Sequence, residues 1–129
     1  MKGTQKFFIC ETCKNLVGLI ENHDAPLVCC GAPMAELVAN TEDASTEKHL
    51  PDVSVKENEL HVTIGSVLHP MEEAHHIVFI YVETEQGGQR KSLHIGEPPK
   101  ASFCFTADKP IAVYAYCNLH GLWKTELAD

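Results

Sequence analysis

The sequence predicts a mostly β protein made of a small metal-binding module followed by a seven-stranded sandwich, and three observations carry that expectation. From Val53 onward, short runs rich in Val, Ile, Tyr and Phe recur with turn signals between them. No segment carries the long 3.6-residue apolar period of a packing helix. Ahead of Val53, residues 1–37 hold four of the six cysteines and only short apolar pieces such as FFI and LVGLI.

The strand candidates run VSVKE, ELHVTIG, HIVFIYVET, RKSLHIG, ASFCFTA, IAVYAYC and LWKTEL. KENE and EQGG supply hairpin turns between neighbours. Seven short strands at this spacing suit an immunoglobulin-like β-sandwich, here expected over residues 38–129. The first 37 residues are fewer than a chain normally needs to bury a core of its own, so a metal, disulfides or a second subunit is expected to hold them together. Residues 38–47, VANTEDASTE, are small, polar and acidic, which suits a linker.

Composition narrows the function. The 129 residues carry 18 acidic and 10 basic side chains, a formal net charge of -8 that argues against nucleic acid or an anionic membrane as partner. No apolar stretch approaches the roughly 20 residues of a membrane span. The start, MKGTQKFFICET, lacks the apolar core of a secretory leader, so a cytoplasmic protein is expected. In that reducing compartment, cysteines are read as thiolates or metal ligands in preference to disulfides.

Cys10 and Cys13 form a CxxC pair, and Cys29 and Cys30 follow after fifteen intervening residues. Four thiolates at two separated points make a tetrahedral donor set, for which zinc is the ordinary occupant. The contiguous second pair departs from the looser spacing of zinc ribbons. Both side chains must turn toward one ion through a distorted backbone.

The eight histidines divide by neighbourhood. His61 and His94 alternate with strand residues and His23 sits in a turn-like stretch, so all three read as surface groups. His49 lies in EKHLP, where Leu50 before Pro51 is pushed toward extended geometry. If that geometry extends back, Glu47 and His49 share one face and Lys48 the other. In HPMEEAHHI, the proline and the acids after His69 suggest one short helical turn with His75 near its exit. An apolar strand, IAVYAYC, ends on Cys117, and His120 follows three residues on. Cys104 alternates with Phe103 and Phe105, and reads as a small buried or half-buried residue.

Two resemblances join these observations. The four cysteines resemble those of desulforedoxin, a rubredoxin-like module holding one iron, and this covers residues 1–37. STEKHLP, HPMEEAHH and YCNLHGLWK resemble the signature segments of the desulfoferrodoxins, the two-iron superoxide reductases, and that likeness spans essentially the whole chain. It implies two irons per chain, one bound by Cys10, Cys13, Cys29 and Cys30, the other by His49, His69, His75 and His120 with Cys117 as axial ligand. Glu47 and Lys48 are implied beside an open sixth position, and His76 is given no role. Superoxide is the implied substrate, a small soluble donor such as rubredoxin the implied source of electrons, and a homodimer the implied assembly.

Physical chemistry agrees with the ligand set. Five donors leave an octahedral ion one open position. Four neutral imidazoles and one thiolate around ferrous iron leave a charge of about +1, which attracts a small anion. A thiolate opposite the open position pushes electron density toward whatever binds there. The rival functions are a non-catalytic electron carrier and a metal or redox sensor whose four cysteines hold zinc.

Overall fold

A computed structural model describes residues 2–127 of the chain. In chain order the elements are β1 Lys6–Ile9, β2 Leu16–Leu19, β3 Val28–Cys29, β4 Ala32–Pro33 and β5 Ala35–Glu36. There follow α1 Thr46–His49, β6 Pro51–Lys56, β7 Glu59–Ile64, β8 Ile77–Thr84, β9 Gly87–Ser92, β10 Lys100–Cys104, β11 Pro110–Cys117 and β12 Gly121–Glu126. They fall into two compact units, one of residues Thr4–Val38, the other containing everything described after Val38 together with Gly3.

The small unit is built on hairpins. β1 lies between β2 and β5 in a three-stranded antiparallel sheet, and β3 pairs with β4 in a ribbon of its own. Its buried apolar side chains are few, with Phe7 and Cys10 among them, as expected of so short a chain.

The larger unit has all seven expected strands, in sheets of order β10-β7-β6 and β12-β11-β8-β9. Every pairing is antiparallel. Alternation works as the sequence implies: Leu60, Val62 and Ile64 of β7, Ile80 and Val82 of β8, Phe103 of β10, and Val113, Ala115 and Cys117 of β11 form one buried cluster. That cluster draws on both sheets. Burying each of its Leu, Val, Ile and Phe side chains contributes about 1.5–3 kcal/mol.

Four expectations are corrected. The helical turn after Pro70 is absent; residues 72–75 form a tight bend in which Glu72 and His75 each donate a backbone N–H to the other's carbonyl, at 2.9 and 3.1 Å. That reciprocal pair spends the groups a helix would need. The helical turn occurs instead at α1, where extended geometry was expected: proline restricts only Leu50, the residue directly before it, which is extended at φ -66°, ψ 132°. Strand β9 starts at Gly87, so only Glu85 and Gln86 make its turn and both glycines of EQGG are in the strand. Cys104 is exposed, because the phenyl rings of Phe103 and Phe105 take the core side and alternation turns the thiol to solvent.

The segment expected to be a linker is in part anchored. Asn40, with φ +62°, donates its backbone N–H to the Leu122 carbonyl and its side-chain amide to the Lys124 carbonyl, and it accepts from the Lys124 N–H. None of the helices among the described residues is long and apolar enough to cross a membrane.

Candidate metal centres

The four sulfurs of Cys10, Cys13, Cys29 and Cys30 lie within 4.8 Å of one another. Cys10 and Cys13 bracket the turn between β1 and β2, closed by Lys14 N–H to the Cys10 carbonyl and by Cys10 N–H to the Asn15 carbonyl, both 2.8 Å. The adjacent pair is made possible by the distortion its spacing requires. Cys30 and Gly31 have φ of +53° and +75° and form the two-residue turn of the β3–β4 hairpin, where both central residues must be left-handed. Sγ of Cys13 stands 3.6 Å from that of Cys29, which stands 3.9 Å from that of Cys30. Four sulfurs bound at about 2.3 Å in a tetrahedron would stand roughly 3.8 Å apart, so the set fits one metal ion.

Its proton chemistry also calls for a cation. The N–H of Cys13 holds the Cys10 thiol down at about 6. Hydrogen bonds with Cys13 and then Cys10 push Cys29 up to about 12, and Cys30 moves in the same direction for the same reason. The first thiolate forms readily, and the next has no counter-charge until a metal supplies one.

The second group is buried in the larger unit, where the donor atoms of His49, His69, His75 and Cys117 lie within 4.8 Å of one another. His120 joins them through Nδ1, 3.2 Å from Nε2 of His49 and 3.9 Å from Sγ of Cys117. The imidazoles form a closed square. Centroids are 4.7 Å apart for His49–His69, 4.6 Å for His69–His75, 5.1 Å for His75–His120 and 5.0 Å for His120–His49, with a His49–His75 diagonal of 6.3 Å. Adjacent rings are steeply inclined, at 74° to 90°. This is the arrangement of four equatorial donors, since nitrogens bound at about 2.1 Å and at right angles are roughly 3.0 Å apart.

Local folding decides which ring nitrogen faces inward. Nδ1–H of His49 donates to the Ser45 carbonyl at 2.6 Å, and Nδ1–H of His69 to the Pro70 carbonyl at 2.7 Å, leaving each Nε2 as the free lone pair. Nε2 of His69 and of His75 is buried with no hydrogen-bond partner among the described residues. Such orphaned acceptors are costly unless something unseen in the hydrogen-bond network meets them. Burial lowers His69 to about 4, and also lowers His49 and His75, so these rings are neutral lone-pair donors at neutral pH.

Cys117 arrives at the end of β11, where the pairing with β8 shifts register between Tyr116 and Cys117, an irregularity of the kind that re-aims side chains beside active sites. Burial raises its thiol, while the N–H groups of Leu119 and His120 oppose that rise; His120 N–H stands 3.3 Å from the sulfur. Gly121, at φ +78°, turns the chain back into β12, and a side chain there would crowd Glu42 as well as strain the backbone.

Glu47 and Lys48 are exposed on α1, and only His49 of that helix is buried. Two positions along a helix point nearly opposite ways, so Glu47 does not share the face of His49 as an extended segment would require. The Glu47 carbonyl accepts from Val67 N–H and Ser66 Oγ–H. Its residue lines an open cavity of about 390 Å³ with Leu50, Pro51 and Asp52. His76 turns away from the square, its Nδ1 directed at the Glu72 and Glu73 carbonyls, which separates it from His75. His61 bonds Ser102, His23 pairs with Glu21, and both are surface groups, as is His94.

Two residues support the histidine square, and of these only Asn118 was not singled out by sequence reasoning; in YCNLHGLWK the segment Gly121, Leu122 and Trp123 already suggested turn and packing for Cys117 and His120. Trp123 stacks on His49, centroids 4.9 Å apart and 26° between planes, and its indole N–H donates to the His120 carbonyl. Asn118 bonds the bend that carries His75. The only signal for Asn118 was its place beside Cys117 and His120.

Residues 41–126 match the desulfoferrodoxin family. A desulfoferrodoxin of Nitratidesulfovibrio vulgaris is 41% identical over 126 residues, covering 98% of this chain and 99% of that one. The chain belongs to the desulfoferrodoxin family. A superoxide reductase of Pyrococcus horikoshii is 32% identical, covering 66% of this chain and 90% of its own. The crystal structure of the superoxide reductase from Treponema pallidum superimposes with a TM-score of 0.81 at 32% identity, covering 96% of this chain and all of that one. As in a desulfoferrodoxin, the two donor sets here are those of two iron centres, one of four cysteines and one of four histidines with a cysteine.

Proposed function

We propose that this chain is a superoxide reductase, adding one electron and two protons to superoxide to give hydrogen peroxide. The observation that carries the reading is the square of imidazoles, two buried and two half-buried, closed by Cys117, in which the buried Nε2 atoms of His69 and His75 have no partner among the described residues. Ferrous iron, if held by His49, His69, His75, His120 and Cys117, would supply the electron. The chain's own part is to fix those donors and bring the anion to them. The Ser45 and Pro70 carbonyls set the ring tautomers, and Trp123 holds His49 and His120 in place.

Lys48 is exposed on a protein of net charge -8 and attracts superoxide toward the buried centre one residue away in sequence. Glu47, exposed on α1 and turned from the face of His49, would reach an ion held by the histidines only if that helical turn rearranged. An iron held by Cys10, Cys13, Cys29 and Cys30 would supply a second one-electron centre. A small redox protein such as rubredoxin donates the electrons, and the exposed apolar side chains of Val67, Leu68 and Leu119, on the loops that carry His69 and His120, support a contact there.

In this reading residues 1–37 form a desulforedoxin-like domain and residues 38–129 an immunoglobulin-like reductase domain, supported by antiparallel sheets of three and four strands around one core. The protein is a cytoplasmic homodimer that removes reactive oxygen. Exposed Val17, Ile20, Val28 and Val38 on the small unit support a second copy as what covers them. The test is to mix the reduced, iron-loaded chain with superoxide and measure products. Hydrogen peroxide equal to the superoxide consumed, with no dioxygen, is expected. Dioxygen release, or no reaction with both irons bound, overturns the reading.

A further inference from the structure

His75 is held differently from His49 and His69. His49 and His69 each have a carbonyl bonded to Nδ1, whereas no acceptor among the described residues meets Nδ1 of His75. Its ring orientation depends on the bend carrying it. That bend has a reciprocal pair of its own between Glu72 and His75, and its Glu72 and Glu73 carbonyls also meet Nδ1 of His76; it is further fastened by a residue from another element.

Asn118 follows Cys117 directly, at the exit of β11. Its side-chain N–H donates to the Ala74 carbonyl at 3.0 Å, its side-chain oxygen accepts the His76 N–H at 2.9 Å, and its backbone N–H donates to the His76 carbonyl at 3.1 Å. One amide thus grips the main chain on both sides of His75. The same residue is peptide-bonded to Cys117, whose sulfur belongs to the donor set.

We propose that Asn118 is a positioning residue that sets His75 at the distance from Cys117 and His120 at which one ion can be bound by all of them. This rests on reading the histidine set as a metal centre. The alternation of donor and acceptor on one planar amide is what the site requires. Aspartate keeps the acceptor for His76 N–H but loses the donor to Ala74 and brings two like-facing oxygens; alanine loses both contacts, while the backbone bond survives in either.

The test uses the full chain with Asn118→Ala, Asn118→Asp and, as a control, Asn40→Ala, which removes a comparable grip on β12 that does not reach the bend. In the metal-free chain, amide exchange at His76 should quicken in Asn118→Ala and not in Asn40→Ala. With ferrous iron or cobalt(II) as probe, competition against a chelator should show about 10–100-fold weaker retention at the histidine centre in Asn118→Ala. Asn118→Asp should be intermediate, with four-cysteine absorption unchanged in all three. Retention in Asn118→Ala equal to the parent, a loss matched by Asn40→Ala, or unchanged His76 exchange overturns the proposal. A parent chain that binds no metal at the histidines while Asn118→Ala still quickens His76 exchange overturns the metal reading and leaves the latch standing.

Discussion

His69 shows how one side chain carries both structure and chemistry. Its ring is buried, fixed by the Pro70 carbonyl, and lowered to about 4 from the ordinary 6.5. Without metal, the unfolded chain takes up this proton first as pH falls. The contribution of a neutral His69 is therefore fully present above about pH 6.5 and is lost as pH falls toward 4. Urea midpoints of the metal-free chain are expected to drop across that window, and less steeply after His69→Asn. Lys48, exposed on α1, is proposed to act through charge alone and so to speed encounter with superoxide; Lys48→Ala should then slow the second-order reaction by about tenfold and flatten its salt dependence. Stopped-flow rates at several ionic strengths measure both. A variant matching its parent in rate and slope removes Lys48 from the mechanism.

At the scale of elements, each centre is made by turns that the flanking strands hold in register. The β3–β4 hairpin places Cys29 and Cys30 side by side only because Cys30 and Gly31 are left-handed. All four cysteines come from two hairpins of one unit, and the histidine centre draws on none of them. Cys13→Ser is therefore expected to lose or alter the four-sulfur iron, seen as lost or shifted visible absorption, while a pre-reduced histidine centre keeps its reaction with superoxide. Comparable loss of that reaction would mean that the centres do not function separately. Within the other unit, β11 delivers Cys117, and β12 returns Trp123 over His49. Five donors from α1, the β7–β8 loop, the end of β11 and the β11–β12 turn thus meet at one end of the paired strands.

For the molecule as a whole, the small unit has too little buried apolar surface to account for its stability without metal or a second copy. Sedimentation is expected to give a dimer of the 14.2 kDa chain at micromolar concentration. A stable monomer with both irons bound would assign the exposed Val17, Ile20, Val28 and Val38 to some other partner.

Much of this was legible in the residues alone. Strand alternation is a local property of period two, so all seven strands of the larger unit and the core faces of β7 and β11 could be read directly. The cysteine spacing announced a strained second pair, and Cys30 at φ +53° is that strain. Local signals failed where distant groups decide backbone geometry. The acids after Pro70 suggested a helical turn, yet Asn118 and the Glu72–His75 pair hold a bend there. Extended geometry at Pro51 was carried too far back, and α1 turned Glu47 away from the face of His49. No sequence pattern could choose between His75 and His76; that choice was made by carbonyls of the bend capturing His76. Local periodicity determines which residues can be donors and on which face they start, but bringing five of them within bonding distance of one ion depends on long-range hydrogen bonds and packing that only the tertiary structure supplies.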